Sequence, residues 1–91
     1  MAAPVVSWAL TDHARIEMAR RGIDFCLVEA VLAAPEQRFS VRPGRDVLQS
    51  RFIIDQIHYV IRVFVDVDRT PADVVTVYRS SKIGKYWRST S

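Results

Sequence analysis

The spacing of apolar residues changes at Pro35. Before it, Ala14, Met18 and Ala19 recur at helical intervals, and so do Phe25, Val28, Val31 and Leu32. After it the interval is two: Phe39 and Val41, then Ile57, Tyr59, Ile61, Val63 and Val65. The first period puts apolar side chains on one stripe of a helix, and the second puts them on one face of a strand. A chain that changes period once, helices first, is restricted to a helical layer on one face of an antiparallel sheet.

Punctuation residues divide the two halves into elements. "TDHARIEMARRG" reads as a first helix, capped by Thr11 or Asp12 and ended by Gly22 in the left-handed conformation. Glu17 has His13 one turn before it and Arg20 and Arg21 one turn after. "DFCLVEAVLAAP" reads as a second helix with Asp24 as its cap, Pro35 as its stop and Cys26 on its apolar side. Four strands follow: "EQRFSVR", "DVLQSRFII", "IHYVIRVFVDV" and "VVTVYRS". Pro43 and Gly44 suit the centre of a type II turn, and "DQ" makes the next reversal. The expected fold is α+β: two N-terminal helices packed on one face of a four-stranded antiparallel sheet. "VVSW" near the start is a candidate for a short extra strand. One domain is expected over 1–91, with a core at about 10–81 and a basic, aromatic tail at 82–91.

Ninety-one residues at 49% hydrophobic and 25% charged content argue against disorder across the whole length. One cysteine forms no disulfide within the chain, which suits a reducing compartment. "MAAPVVSWAL" has no basic segment ahead of its short apolar stretch, so no signal peptide is expected. No apolar run reaches the ~20 residues of a membrane span. The expectation is a cytoplasmic protein without membrane contact. Two histidines and one cysteine lack metal-ligand spacing, and no glycine-rich phosphate loop is present, so neither metal nor cofactor is expected.

The net charge is +3, and the cations are eleven Arg against two Lys. The guanidinium fork matches phosphate and carboxylate, although a GC-rich coding sequence gives the same bias. On the third strand His58, Val60, Arg62, Phe64 and Asp66 point away from the face that meets the helices. This second face is expected to be open. His58 and Arg62 share it, close enough along one strand to act on one phosphate. Arg51 and Arg79 are candidates to lie nearby. After Arg79 come Lys82, Lys85, Tyr86, Trp87 and Arg88 with no acid among them. Beside an open sheet face these supply phosphate contacts and stacking rings. The plainer alternatives are a half-buried sheet histidine at 58, an ion pair between Arg62 and Asp66, and a solvated tail.

"HARIEMARRGI" and the closing "TVYR" at Thr76 to Arg79 carry a resemblance. They resemble a small bacterial family of unknown function with a helix of the form H-A-x-x-R-M-x-x-R-G-I, placed near the RelE- and BrnT-like toxins. His13, Ala14, Met18, Arg21, Gly22, Ile23 and Pro35 match; Glu17 stands where the motif has Arg. The resemblance implies a RelE-like fold and a toxin of a toxin–antitoxin system. Such a toxin is a metal-independent ribonuclease acting on messenger RNA, in some cases on the ribosome. Its partners would be RNA, a cognate antitoxin and, as a further option, a second copy of itself. The candidate catalytic residues are then His58, Arg62, Arg79 and His13. The candidate RNA-binding residues are Arg51, Lys82, Lys85, Tyr86, Trp87 and Arg88. The alternative is a non-catalytic module that binds RNA or protein.

Overall fold

The computed structural model describes residues 1–89; the last two residues of the expected tail lie outside them. Its elements are β1 (Trp8–Leu10), α1 (Asp12–Arg21), α2 (Phe25–Ala33), β2 (Gln37–Arg42), β3 (Arg45–Ile54), β4 (Ile57–Asp66), β5 (Ala72–Ser80) and α3 (Ile83–Tyr86). Thr11 caps α1: its Oγ1 accepts from the Ala14 amide at 3.1 Å and donates to the Val74 carbonyl at 2.9 Å. One hydroxyl thus starts the helix and ties it to β5. Gly22 ends α1 with φ at +62°, and the Ile23 amide donates back to Met18.

The sheet has five strands in the order β1-β5-β4-β3-β2. Strands β2 to β5 form an antiparallel meander, whereas β1 runs parallel to β5 with Trp8 opposite Ala72 and Leu10 opposite Val74. This corrects the expected architecture. The sheet is mixed and five-stranded and there are three helices, not a four-stranded antiparallel sheet with two helices. Three-residue β1 is too short to show alternation, and its direction is set by a non-local partner. α3 is a single turn, too short for any helical period.

α1 packs on β5, and α2 crosses β4 and β3 on the same face. Ala14, Met18, Val28, Val31 and Leu32 meet Leu48, Ile61, Val63, Val65, Val74 and Val77 there, all buried. Each large aliphatic side chain so buried contributes about 1.5–3 kcal/mol. The helical stripe is narrower than its sequence indicates. Phe25 remains 46% exposed, in the first turn of α2 against Trp8. Cys26 is exposed rather than core, because two residues turn the helix by about 200° from the buried Val28.

α3 sits on the opposite face of the sheet, against β4. That face is therefore covered, which corrects the expectation of an open face. The chain turns back after Ser80 and lays its own tail across it.

Candidate functional site

Register brings four polar side chains into one row across the sheet. Gln37 on β2 stands opposite Gln49 on β3, Gln49 opposite Arg62 on β4, and Arg62 opposite Tyr78 on β5. The adjoining row on the same face is Phe39, Val47, Phe64 and Thr76. A polar row inside a largely apolar face requires internal partners. Arg62 donates from Nε to Gln49 Oε1 at 2.9 Å, and Gln49 Nε2 donates to Gln37 Oε1 at 2.7 Å.

Aromatic rings surround the Arg62 guanidinium. Its Cζ lies 4.6 Å from the Tyr86 centroid, 5.2 Å from Phe64 and 5.9 Å from Tyr78. Tyr78 and Tyr86 meet edge to face at 5.4 Å. Two further cations flank the phenols: Arg21 lies 5.3 Å from the Tyr78 centroid, and Lys85 Nζ lies 5.3 Å from that of Tyr86. Guanidinium on an aromatic face is favourable and leaves the fork free for a planar anion.

The acids of the chain lie elsewhere. Glu17 pairs with Arg20 and Arg21, Asp46 with Arg38, Asp66 with Arg45, Glu36 with Arg51, and Asp68 and Asp73 with Arg69. Asp66 therefore does not neutralise Arg62. Among the described residues Arg62 has no carboxylate partner. The phenol of Tyr86 is held below its ordinary value of 10.0, chiefly by hydrogen bonding with Tyr78 and then by Lys85 and Arg62. Burial, followed by the hydrogen bond to Tyr86, pushes the Tyr78 phenol up. Two phenols whose affinities for a proton are pulled apart beside free cations can divide acid and base roles.

The other candidate residues are distributed over both faces. His58 is exposed on the face of Arg62, opposite Ile53, and lines a small cavity with Arg51 and Phe52. It lies four positions along the strand from Arg62, about 13 Å, with Val60 between them on that face. They are not near neighbours. Arg79 stands opposite Ile61 and so belongs to the helical face, its guanidinium 4.9 Å from the Tyr59 centroid. His13 is exposed in the first turn of α1, in the helical layer. The four catalytic candidates do not converge.

Of the binding candidates, Lys85 and Tyr86 join the Arg62 cluster, and Trp87 and Arg88 extend along the same face. Trp87 stacks on Arg51 at 4.1 Å, and Arg88 on Phe39 at 3.6 Å. Arg51 is neutralised by Glu36 at 3.0 Å, and the pair borders a cavity of about 470 Å³ with Pro35 and Trp87. Lys82 is exposed ahead of α3. Gln37, Gln49 and Tyr78 are the functional candidates that the sequence reading missed. The available signal was Gln49 itself, an amide directly after the apolar pair Val47 and Leu48.

Among the described residues no three His, Cys, Asp or Glu side chains converge as metal ligands would, and no helix is long and apolar enough to cross a membrane. A family model matches residues 10–79; the family is DUF4258, a domain of unknown function. No curated protein and no solved structure matches the chain.

Proposed function

We propose that this chain, which belongs to the DUF4258 family, binds single-stranded RNA at the Arg62–Tyr86 cluster and cleaves it without a metal ion, as the toxin of a toxin–antitoxin pair. The observation that carries the reading is that the Arg62 guanidinium has three aromatic rings around it and no carboxylate partner among the described residues, while most other arginines are in ion pairs. The motif resemblance to RelE- and BrnT-like toxins supports the same reading. The assignment of roles differs from the one that strand spacing alone gives.

In this scheme Arg62 and Lys85 clamp the scissile phosphate. The Tyr86 phenolate takes the proton from the 2′-hydroxyl. The 2′-oxygen attacks phosphorus and the bond to the 5′-oxygen breaks. Lys85 returns a proton to that oxygen. The products are a 2′,3′-cyclic phosphate and a 5′-hydroxyl end. The lowered Tyr86 pKa favours the base role, because more of the phenol is ionised at a given pH.

The test is incubation of the purified chain with single-stranded RNA in EDTA, alone and with translating ribosomes. Cleavage to cyclic-phosphate ends is expected. Tyr86→Phe should reduce the rate by about 10²–10⁴-fold, the usual span for a lost acid or base, with affinity nearly kept. Arg62→Gln should reduce both. Induced expression should arrest growth, with relief in both variants. Intact RNA in every arm rejects the enzymatic reading. A second reading, a non-catalytic RNA-binding module, is favoured by the absence of both histidines from the cluster. Binding without cleavage would select it.

A further inference from the structure

Gln49 is fully buried, yet it lies on the face of the sheet opposite the main core. A buried carboxamide without partners costs free energy, so a residue of similar volume such as Met would fill the space more simply. Every hydrogen bond of Gln49 goes to the candidate site. Oε1 accepts from Arg62, and Nε2 donates to Gln37 Oε1 and, at 3.1 Å, to the main-chain carbonyl of Tyr86. The orientation of the amide is unambiguous, because guanidinium only donates and a carbonyl only accepts.

Gln37 continues the arrangement. Its Nε2 donates to the Arg88 carbonyl at 2.7 Å, and its Oε1 accepts from the Arg88 amide at 3.2 Å. A side-chain amide thus holds one residue by both its N–H and its C=O, as a neighbouring strand would. Both glutamines hold the tail by its backbone. The Tyr86 ring is left to face Arg62, with Lys85 beside that ring.

We infer that Gln49 is a positioning residue: one buried carboxamide aims Arg62 and docks the C-terminal segment that carries Tyr86, with Gln37 closing the same row. The site is consequently built from two parts. The sheet supplies Arg62 and Tyr78, and the tail supplies Lys85 and Tyr86. The inference rests on the reading that Arg62 and Tyr86 act on RNA, but the docking itself can be measured without RNA.

The experiment uses the full chain with Trp8→Phe, so that Trp87 is the sole indole. Gln49→Met keeps length and volume and removes all three hydrogen bonds. Tyrosine-ring NMR should show the Tyr86 phenol rising toward its ordinary pKa, and Trp87 emission should shift to longer wavelength. Affinity for single-stranded RNA should fall about tenfold, the scale of one charge-assisted contact. Gln49→Glu still accepts from Arg62 but has no donor for Tyr86, so it should also release the tail. A folded Gln49→Met protein with Tyr86 titration and Trp87 emission unchanged overturns the inference. Release of the tail with RNA affinity unaltered upholds the docking role and rejects the RNA reading. If Gln49→Met does not fold, Gln37→Ala at a half-buried position decides: release of Tyr86 in the same direction supports the row, and an unchanged Tyr86 overturns it.

Discussion

Glu17 is buried in α1, with Arg20 Nη1 at 3.0 Å from one oxygen and Arg21 Nε at 2.9 Å from the other. It holds Arg21 where that guanidinium also lies over Tyr78. A cation at this position would be the third, desolvated beside Arg20 and Arg21. Glu17→Arg, which restores the residue expected from the motif, should therefore destabilise by about 2–4 kcal/mol. A urea titration would show a lower midpoint at unchanged slope; an unaltered midpoint would mean that the position relaxes to solvent. The Tyr86 phenol makes a second prediction. A base must be unprotonated, and this phenol ionises below its usual 10.0. Cleavage should rise with pH and level off below pH 10, and the rise should vanish in Tyr86→Phe. Part of the site was legible residue by residue. Arg62 was identified from strand alternation, and Lys85 and Tyr86 from an acid-free run. Gln49 and Tyr78 were not, because their role depends on cross-strand register, and a strand's own residues do not specify which partner stands opposite.

At the scale of elements, the turn between β3 and β4 holds Asp55 at φ +50° and Gln56 at φ +67°. Glycine adopts this region without the clash that other L residues meet there. Gln56→Gly should stabilise by about 0.5–1 kcal/mol, visible as a higher thermal midpoint. A lower midpoint would show that Gln56 makes contacts worth more than the strain. At the far end of β3, just after the Pro43–Gly44 turn, Arg45 stands opposite Asp66 on β4, with Nε 2.6 Å from Oδ1. Its hydrogen bond from Arg45 holds the Asp66 carboxyl below 3.8, and that from Arg51 holds Glu36 below 4.5. Each contribution is complete above the unfolded carboxylate range and is lost as pH falls through the lower folded value. Stability should thus drop as pH is taken below about 4.5, and Asp66→Asn should remove part of that drop, about 0.5–1 kcal/mol or less for so exposed a pair. β4 was readable because period two runs along its ten residues, and β3 and β5 because runs of ten and nine residues are set off by turns. β1 and α3 were not. Three or four residues carry no period, and both are held by distant partners: β1 by β5, and the tail by two glutamines.

At the scale of the whole molecule, the charge is sorted rather than merely positive. Six arginines, at 20, 21, 38, 45, 51 and 69, are in ion pairs. Arg15, Arg42, Arg62, Arg79, Lys82, Lys85 and Arg88 are in none among the described residues, and five of these seven follow the midpoint of β4. Arg79 is separated from the rest by the sheet, since it projects into the helical layer. A single-stranded RNA lying on the tail face can therefore neutralise Arg62, Lys85 and one or two neighbours, but not Arg79 at the same time. Counterion release makes this count measurable. For three or four phosphates on single-stranded nucleic acid, the logarithm of affinity should fall with the logarithm of salt at a slope of about −2.1 to −2.8. Arg62→Gln should make the slope shallower by about 0.7, and Arg79→Gln should leave it unchanged. An equal loss of slope in both variants would mean that the ligand wraps both faces. A slope near zero in the unaltered chain would point instead to a ligand without phosphates, held by the rings of Tyr86 and Trp87.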